Sequence, residues 1–224
     1  MASTDDMTPA LPVGCVIAVL GAAGTGKSRL AQALCERLSQ RGIETERVPD
    51  LHAEWRQTHG REPHAAALPD ISTAQTRQIA SAAARGVVIA DTTPLMAAVD
   101  GEIRFGDTSL YETALTAHRG YAITLLMALD GSQPADGTAQ LTDDLVRAAL
   151  ARAGAPYAVI HGQGTEKLAN AWNAINLRAE AAGAGAGADK RSATGERAWF
   201  WPCDKCSDPA CEHRLFRDLV ARRS

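Results

Sequence analysis

Short, continuous apolar runs alternate along this chain with stretches in which apolar residues recur every three or four positions. Val13-Gly-Cys-Val-Ile-Ala-Val-Leu20 is apolar throughout over the length of a strand, and continuity rather than alternation predicts a strand covered on both faces, as in a parallel sheet. After a break from Gly21 to Gly26, Leu30, Ala33, Leu34 and Leu38 line one face of an amphipathic helix that ends near Gly42. The alternation then repeats. Strands are expected at Ile43–Val48, Val87–Ala90, Tyr121–Leu129 and Tyr157–Ile160, and helices at Thr73–Arg85, Thr108–His118, Thr142–Ala153 and Thr165–Glu180. Five buried strands joined by helices predict a three-layer α/β fold around a mainly parallel five-stranded sheet.

The break after the first strand carries candidate chemistry. Gly21-Ala-Ala-Gly-Thr-Gly-Lys27-Ser28 matches G-x-x-x-x-G-K-[ST] at every specified position, in the strand-before, helix-after context that the motif requires. Glycines let the backbone close on a polyphosphate, consecutive N–H groups point inward, and the helix N-terminus adds positive charge. Gly21, Ala22, Ala23, Gly24, Thr25, Gly26, Lys27, Ser28 and Arg29 are therefore the expected nucleotide-binding residues of a P-loop NTPase fold. Lys27 would neutralise phosphate charge and the Ser28 hydroxyl would ligate Mg²⁺ of ATP·Mg²⁺.

An acid at the end of a neighbouring apolar strand should complete the metal site. Asp91, after Val87–Ala90, fits, although Asp before Thr92-Thr-Pro94 is also a common turn former or cap. Asp50 ends the second strand at the carboxyl edge of the sheet. It could orient or deprotonate an acceptor hydroxyl, or simply cap a segment Leu51–Thr58.

Around these residues the chain resembles the P-loop kinase domain of the NadR type, ribosylnicotinamide kinase-like members of the wider AAA/P-loop ATPase group. The resemblance rests on Val48-Pro-Asp50 with Glu54-Trp55, Ala74-Gln-Thr76, Asp91-Thr-Thr93, Phe105-Gly-Asp-Thr-Ser-Leu-Tyr111, and Leu125-Leu126 leading to Asp136-Gly137, and runs from about residue 13 to about residue 178. It implies an ATP/Mg²⁺ site at Gly21–Ser28, a nucleoside pocket near Asp50 and Asp91, a mobile lid from Asp130 to Asp143, and phosphorylation of a nucleoside hydroxyl. The chain departs from that pattern in having Asp50 where Glu is usual, Ala53 where Arg is usual, Ser132-Gln133 for a Pro-Trp pair, and Gln140 for a basic residue. Arg104, Arg119 or Arg147 would then have to supply the lid's cation, since phosphoryl transfer needs positive charge around the transferred group.

Composition narrows the partners. The 224 residues are 46% hydrophobic and 22% charged with a formal net charge of −3, values of a folded chain without the broad basic field that nucleic acid attracts. Val13–Leu20 is far shorter than the roughly 20 residues of a spanning helix, and residues 1–12 lack a basic leader, so no membrane partner and a cytoplasmic location are expected. Residues 1–12 read as a disordered segment, 13–180 as the nucleotide-binding domain, and 181–197, rich in Ala and Gly, as a linker. Residues 198–224 form a tail in which Cys203, Cys206, Cys211 and His213 supply the four ligands of a structural zinc site; reduced thiols or an iron–sulfur role are the alternatives. Cys15 and Cys35 read as small core residues and Trp55 as either a base-stacking ring or packing under a loop. Three functions follow: a small-molecule kinase with a nucleoside-like acceptor, an ATPase or NTP-dependent switch whose tail recruits a protein partner or a second copy, and a non-catalytic nucleotide binder.

Overall fold

The structure, a computed structural model, describes residues 8–131 and 137–188, with side chains described as far as residue 182. The zinc candidates Cys203, Cys206, Cys211 and His213, residues 189–224 of the linker and tail, residues 1–7 and the motif residue Asp136 lie outside the described residues. In chain order the elements are β1 (Val16–Leu20), α1 (Lys27–Gln40), β2 (Thr45–Val48), α2 (Leu51–His59), a 3₁₀ turn (Ala65–Ala67), α3 (Leu68–Ala83), β3 (Val87–Ala90), α4 (Pro94–Phe105), α5 (Tyr111–His118), β4 (Ile123–Met127), α6 (Thr138–Ala153), β5 (Ala158–Ile160) and α7 (Gly164–Ala188). All five strands pair in parallel, in the order β2-β3-β1-β4-β5.

The burial of each strand follows from that order. β1, β3 and β4 occupy the middle and are buried at every position, which is why their sequences are continuously apolar. β2, at one edge, is polar at Thr45, Glu46 and Arg47 and buries only Val48, and β5, at the other, is partly exposed. Odd-numbered residues of β1, with Ile89, Leu125 and Met127, face a core closed by Leu30, Leu34 and Leu38 of α1 and by Trp172 and Ile175 of α7. The opposite face packs Leu20 and Leu126 against α4, α5 and α6, and Val16, Val88 and Ala90 against Ile79 and Ala82 of α3. The result is helix, sheet, helix. Among the described residues no helix is long and apolar enough to cross a membrane.

Several expected boundaries move. α4 was not expected; Thr93 caps it through Leu95 N, Pro94 opens it, and Gly106 closes it with φ 65°. α3 begins at Leu68 rather than Thr73, with Pro69 in its first turn, and α6 at Thr138 rather than Thr142. The last helix continues past Glu180 through the alanine–glycine run to Ala188, since alanine's helix propensity carries it across the glycines. Thr8–Pro12, grouped above with the disordered segment, is packed: Pro9 is buried, Leu11 lies against the α1/α7 core, and Thr8 Oγ1 accepts from Arg41 Nη1 at 3.2 Å.

Candidate active site

β1 delivers the chain at its carboxyl end to Gly21, whose φ of 141° and position leave no room for a side chain: a Cβ there would stand 2.8 Å from Met127 Cβ. The loop then turns back on itself. Thr25 Oγ1 and Lys27 Nζ both donate to the Ala22 carbonyl, at 2.8 and 2.9 Å. Gly26, left-handed at φ 86°, caps α1 with no side-chain hydrogen bond, so the first-turn N–H groups of Lys27, Ser28 and Arg29 lack a side-chain acceptor. This is the donor array a phosphate group takes up. Ala23, Gly24 and Ser28 are exposed at the mouth, and Arg29 has an exposed side chain, so its part is its backbone N–H.

Three charged side chains gather beside this loop. Burial pulls the Lys27 ammonium below its ordinary pKa, and the charges of Asp50 and then Asp91 oppose that pull, while Arg56 adds to it. Asp91, at the end of β3, is 1% exposed. Burial raises its pKa; the neighbouring Ser28 hydroxyl favours the ionised form, Asp50 opposes it, and Arg47 and Lys27 favour it. Arg47 Nη1, reaching across from β2, donates to Asp91 Oδ2 at 3.0 Å, while Oδ1 is buried without a well-formed hydrogen bond. An unsatisfied carboxylate oxygen in a buried place is costly unless something else occupies it. A hard divalent cation shared with the Ser28 hydroxyl fits that oxygen, and Mg²⁺ at such sites takes few protein ligands, the rest coming from water and phosphate. Among the described residues no three His, Cys, Asp or Glu side chains form a metal cage.

Asp50 caps α2, its Oδ1 accepting from Ala53 N at 3.0 Å. Capping and proximity to Lys27 therefore coexist in one residue. Its loop is clamped by Gln75 of α3, which is 2% exposed: Nε2 donates to Pro49 O and Oε1 accepts from Leu51 N, both at 3.0 Å. Next to the clamp, α2, α3 and α4 flank a small, partly open pocket of about 10 Å³ lined by His52, Gln75, Thr92, Thr93 and Met96 among others. Thr92, which follows Asp91 directly, has a φ of 132°, a strained conformation for a β-branched residue. Trp55 is not among the residues lining this pocket; its ring stacks on His59 one turn along α2 at 4.0 Å.

The expected loop, Asp50 and Asp91 are thus brought together, and Arg47, Gln75, His52 and Lys167 are additions. Arg47 could have been noticed as a long cation near the end of an edge strand, but Gln75 and Lys167 reach the site from distant helices and leave no local signal. Of the arginines offered as lid substitutes, Arg104 is bound to Asp100 at 2.8 Å, Arg147 to Asp143 at 2.6 Å, and Arg119 is exposed at the end of α5. Each of the first two is held on its own helix. Within the expected lid, Thr138–Asp143 form the first turns of α6, and residues 132–136 lie outside the described residues.

A family model described as an AAA domain matches residues 16–167, from the first strand of the sheet into the first turn of α7. No curated protein sequence matches the chain. Among solved structures, the NadR protein in complex with NR is similar with a TM-score of 0.58 and 16% identity, over 84% of this chain and 53% of that one. NadR in complex with NAD and AMP-PNP gives the same TM-score and identity over 84% and 52%. A thymidylate kinase from Ehrlichia chaffeensis is similar with a TM-score of 0.51 and 16% identity, over 78% of this chain and 100% of the kinase. The chain spans about half the length of the NadR chains, and at these identities what is shared is the fold, an α/β P-loop fold around a parallel five-stranded sheet. With a glycine loop of this geometry and a family match over most of its length, the chain belongs to the AAA domain family.

Proposed function

We propose that the chain is an ATP-dependent small-molecule kinase that transfers the γ-phosphoryl group to a hydroxyl of a nucleoside-like acceptor. The observation that carries this reading is the convergence of Asp91 and Asp50 on Lys27 of the phosphate loop. A switch or plain ATPase needs Lys27 and Asp91; a second carboxylate beside Lys27 is what an acceptor hydroxyl needs. In this reading the loop N–H groups and Lys27 bind the β and γ phosphates. Ser28 and Asp91 hold Mg²⁺, which when bound neutralises developing charge on the phosphoryl oxygens. Asp50 accepts the hydroxyl proton as the acceptor oxygen bonds to phosphorus and the bond to the β-phosphate oxygen breaks, leaving ADP and the phosphate ester. His52 and Thr93 give the neighbouring pocket a polar lining and Met96 an apolar wall. NadR, crystallised with NR, supports a nucleoside as the acceptor class through the shared fold.

The test is a mass-spectrometric screen for phosphorylated products from a nucleoside panel with ATP and Mg²⁺. Product that appears with the wild-type chain and disappears with Lys27→Ala supports the reading. ATP consumption independent of every acceptor refutes it in favour of a hydrolytic switch, and binding without turnover in favour of an inactive nucleotide binder.

For the tail we infer a structural zinc held by Cys203, Cys206, Cys211 and His213, on the strength of their number and spacing, with a role in contacting a protein partner or a second copy. Metal analysis of the purified chain checks it: about one zinc per chain is expected, and less than half an equivalent counts against it.

A further inference from the structure

Lys167 lies in the first turn of α7, where neither the loop motif nor the acidic strand ends would lead one to look. Its side chain is 13% exposed, and Nζ donates to the Thr25 carbonyl of the phosphate loop at 3.0 Å. Asp130 Oδ2, three residues beyond the end of β4, lies 3.9 Å from the same nitrogen. The helix that carries it is fixed: Ala171, Trp172 and Ile175, one and two turns on, are buried in the core shared with α1. The ammonium is therefore delivered to the back of the loop by a rigid element.

The consequence follows from peptide geometry. In a trans peptide the C=O and the following N–H point in opposite directions, so a carbonyl of Thr25 held toward α7 turns the N–H of Gly26 the other way. The peptide would not hold itself in place, because Gly26 at φ 86° is free to populate either sign of φ and the Thr25–Gly26 plane can flip at little steric cost. Thr25 is 1% exposed, so without Lys167 its carbonyl would have little water to satisfy it. A flip would present an oxygen to the bound anion where a donor is needed.

We propose that Lys167 is a positioning residue of the nucleotide site, holding the Thr25–Gly26 peptide with its N–H directed at the bound polyphosphate. Asp130, 3.9 Å from the ammonium, helps to point it. This rests on the phosphate-loop part of the proposed function and is independent of the acceptor.

The experiment uses the full chain with magnesium tripolyphosphate and MgATP as titrants, calorimetry for affinity, and the ¹⁵N–¹H resonance of Gly26 as the local reporter. Lys167→Met keeps the stem's packing and removes the donor. Both ligands should bind about tenfold more weakly, the effect of one charge-assisted hydrogen bond, and the large ligand-induced shift of the Gly26 amide should be lost. Lys167→Arg should recover affinity to within about threefold and restore the shift, which a packing role would not predict. Lys167→Met with wild-type affinity and a wild-type Gly26 shift overturns the proposal. Wild-type binding without acceptor turnover refutes the kinase reading and leaves this inference standing, whereas a wild-type chain that binds neither ligand overturns both.

Discussion

His118 offers a quantitative test of the packing that supports the site. It ends α5, is 1% exposed, and its Nε2 lies 3.0 Å from Thr124 Oγ1 on β4, while Nδ1 is buried without a partner. Tyr121 packs edge-on against its ring at 5.1 Å. Burial alone pushes its pKa from 6.5 down to about 4, with no carboxylate nearby to hold it up. A depressed histidine is neutral in the folded chain and protonates first in the unfolded one, so its stabilising contribution is complete above 6.5 and is lost as pH falls toward about 4. The gap corresponds to about 3 kcal/mol in full, of which roughly 2 kcal/mol is lost between pH 7 and pH 5. The assay is urea unfolding followed by circular dichroism at pH 7, 6 and 5, on the wild type and His118→Gln. Glutamine keeps a nitrogen near Thr124 and does not titrate, so subtracting its curve removes the contribution of every other group. The wild type should lose about 2 kcal/mol more than the variant over that interval. Parallel curves would refute the buried, neutral imidazole and with it the packing of α5 on β4.

Three further outcomes are expected. Gly21→Ala places a methyl 2.8 Å from Met127 Cβ at a φ of 141°, and should lower stability by about 2–4 kcal/mol by chemical denaturation and weaken MgATP at least tenfold by calorimetry. Asp50→Asn retains the cap on Ala53 N, since Asn caps as well as Asp, so the melting temperature should stay within about 2 °C while acceptor phosphorylation falls about 100-fold or more in a coupled assay. Gln75→Leu removes both bonds that tether Pro49 and Leu51, and should cost about 1–3 kcal/mol and reduce acceptor turnover more than MgATP affinity, read from steady-state kinetics and calorimetry.

The legible part of this molecule was the part encoded locally. β1, β3 and β4 lie inside the sheet, so burial on both faces writes an uninterrupted apolar run into each, and Val87–Ala90 was found to the residue. Edge strands write weaker signals, and the observed β2 is shorter than the expected Ile43–Val48. α4 escaped because Gly101, which lies against Leu68, interrupts a pattern that its Thr93-Pro94 start and Gly106 stop would have revealed. In the site, the glycine loop and the two strand-end aspartates follow from spacing alone. Arg47, Gln75 and Lys167 do not: each makes its contact to a segment 24 to 142 positions away, and a distance of that kind exists only after the sheet has assembled.

The irregularities of the fold are themselves informative about where its chemistry lies. Thr92 is the one non-glycine residue with positive φ among the described residues, and it adjoins Asp91, whose Oδ1 is buried without a well-formed hydrogen bond. Lys27 is desolvated against its own preference for water, and Gly21 tolerates no side chain. Each of these costs stability, and a core as regular as that between α1, α7 and the sheet gives no physical reason for them to coincide. They converge at the carboxyl ends of β1 and β3, the neighbours at which the strand order reverses and where open parallel sheets bind ligands. Strain, a buried carboxylate oxygen without a well-formed hydrogen bond and a desolvated ammonium in one place are the features that the proposed phosphate and metal site calls for, since a bound cation would satisfy that oxygen and a phosphate would balance the ammonium. Magnesium nucleotide should therefore raise the melting temperature of the wild type far more than that of Asp91→Ala, which lacks the oxygen the cation is expected to fill.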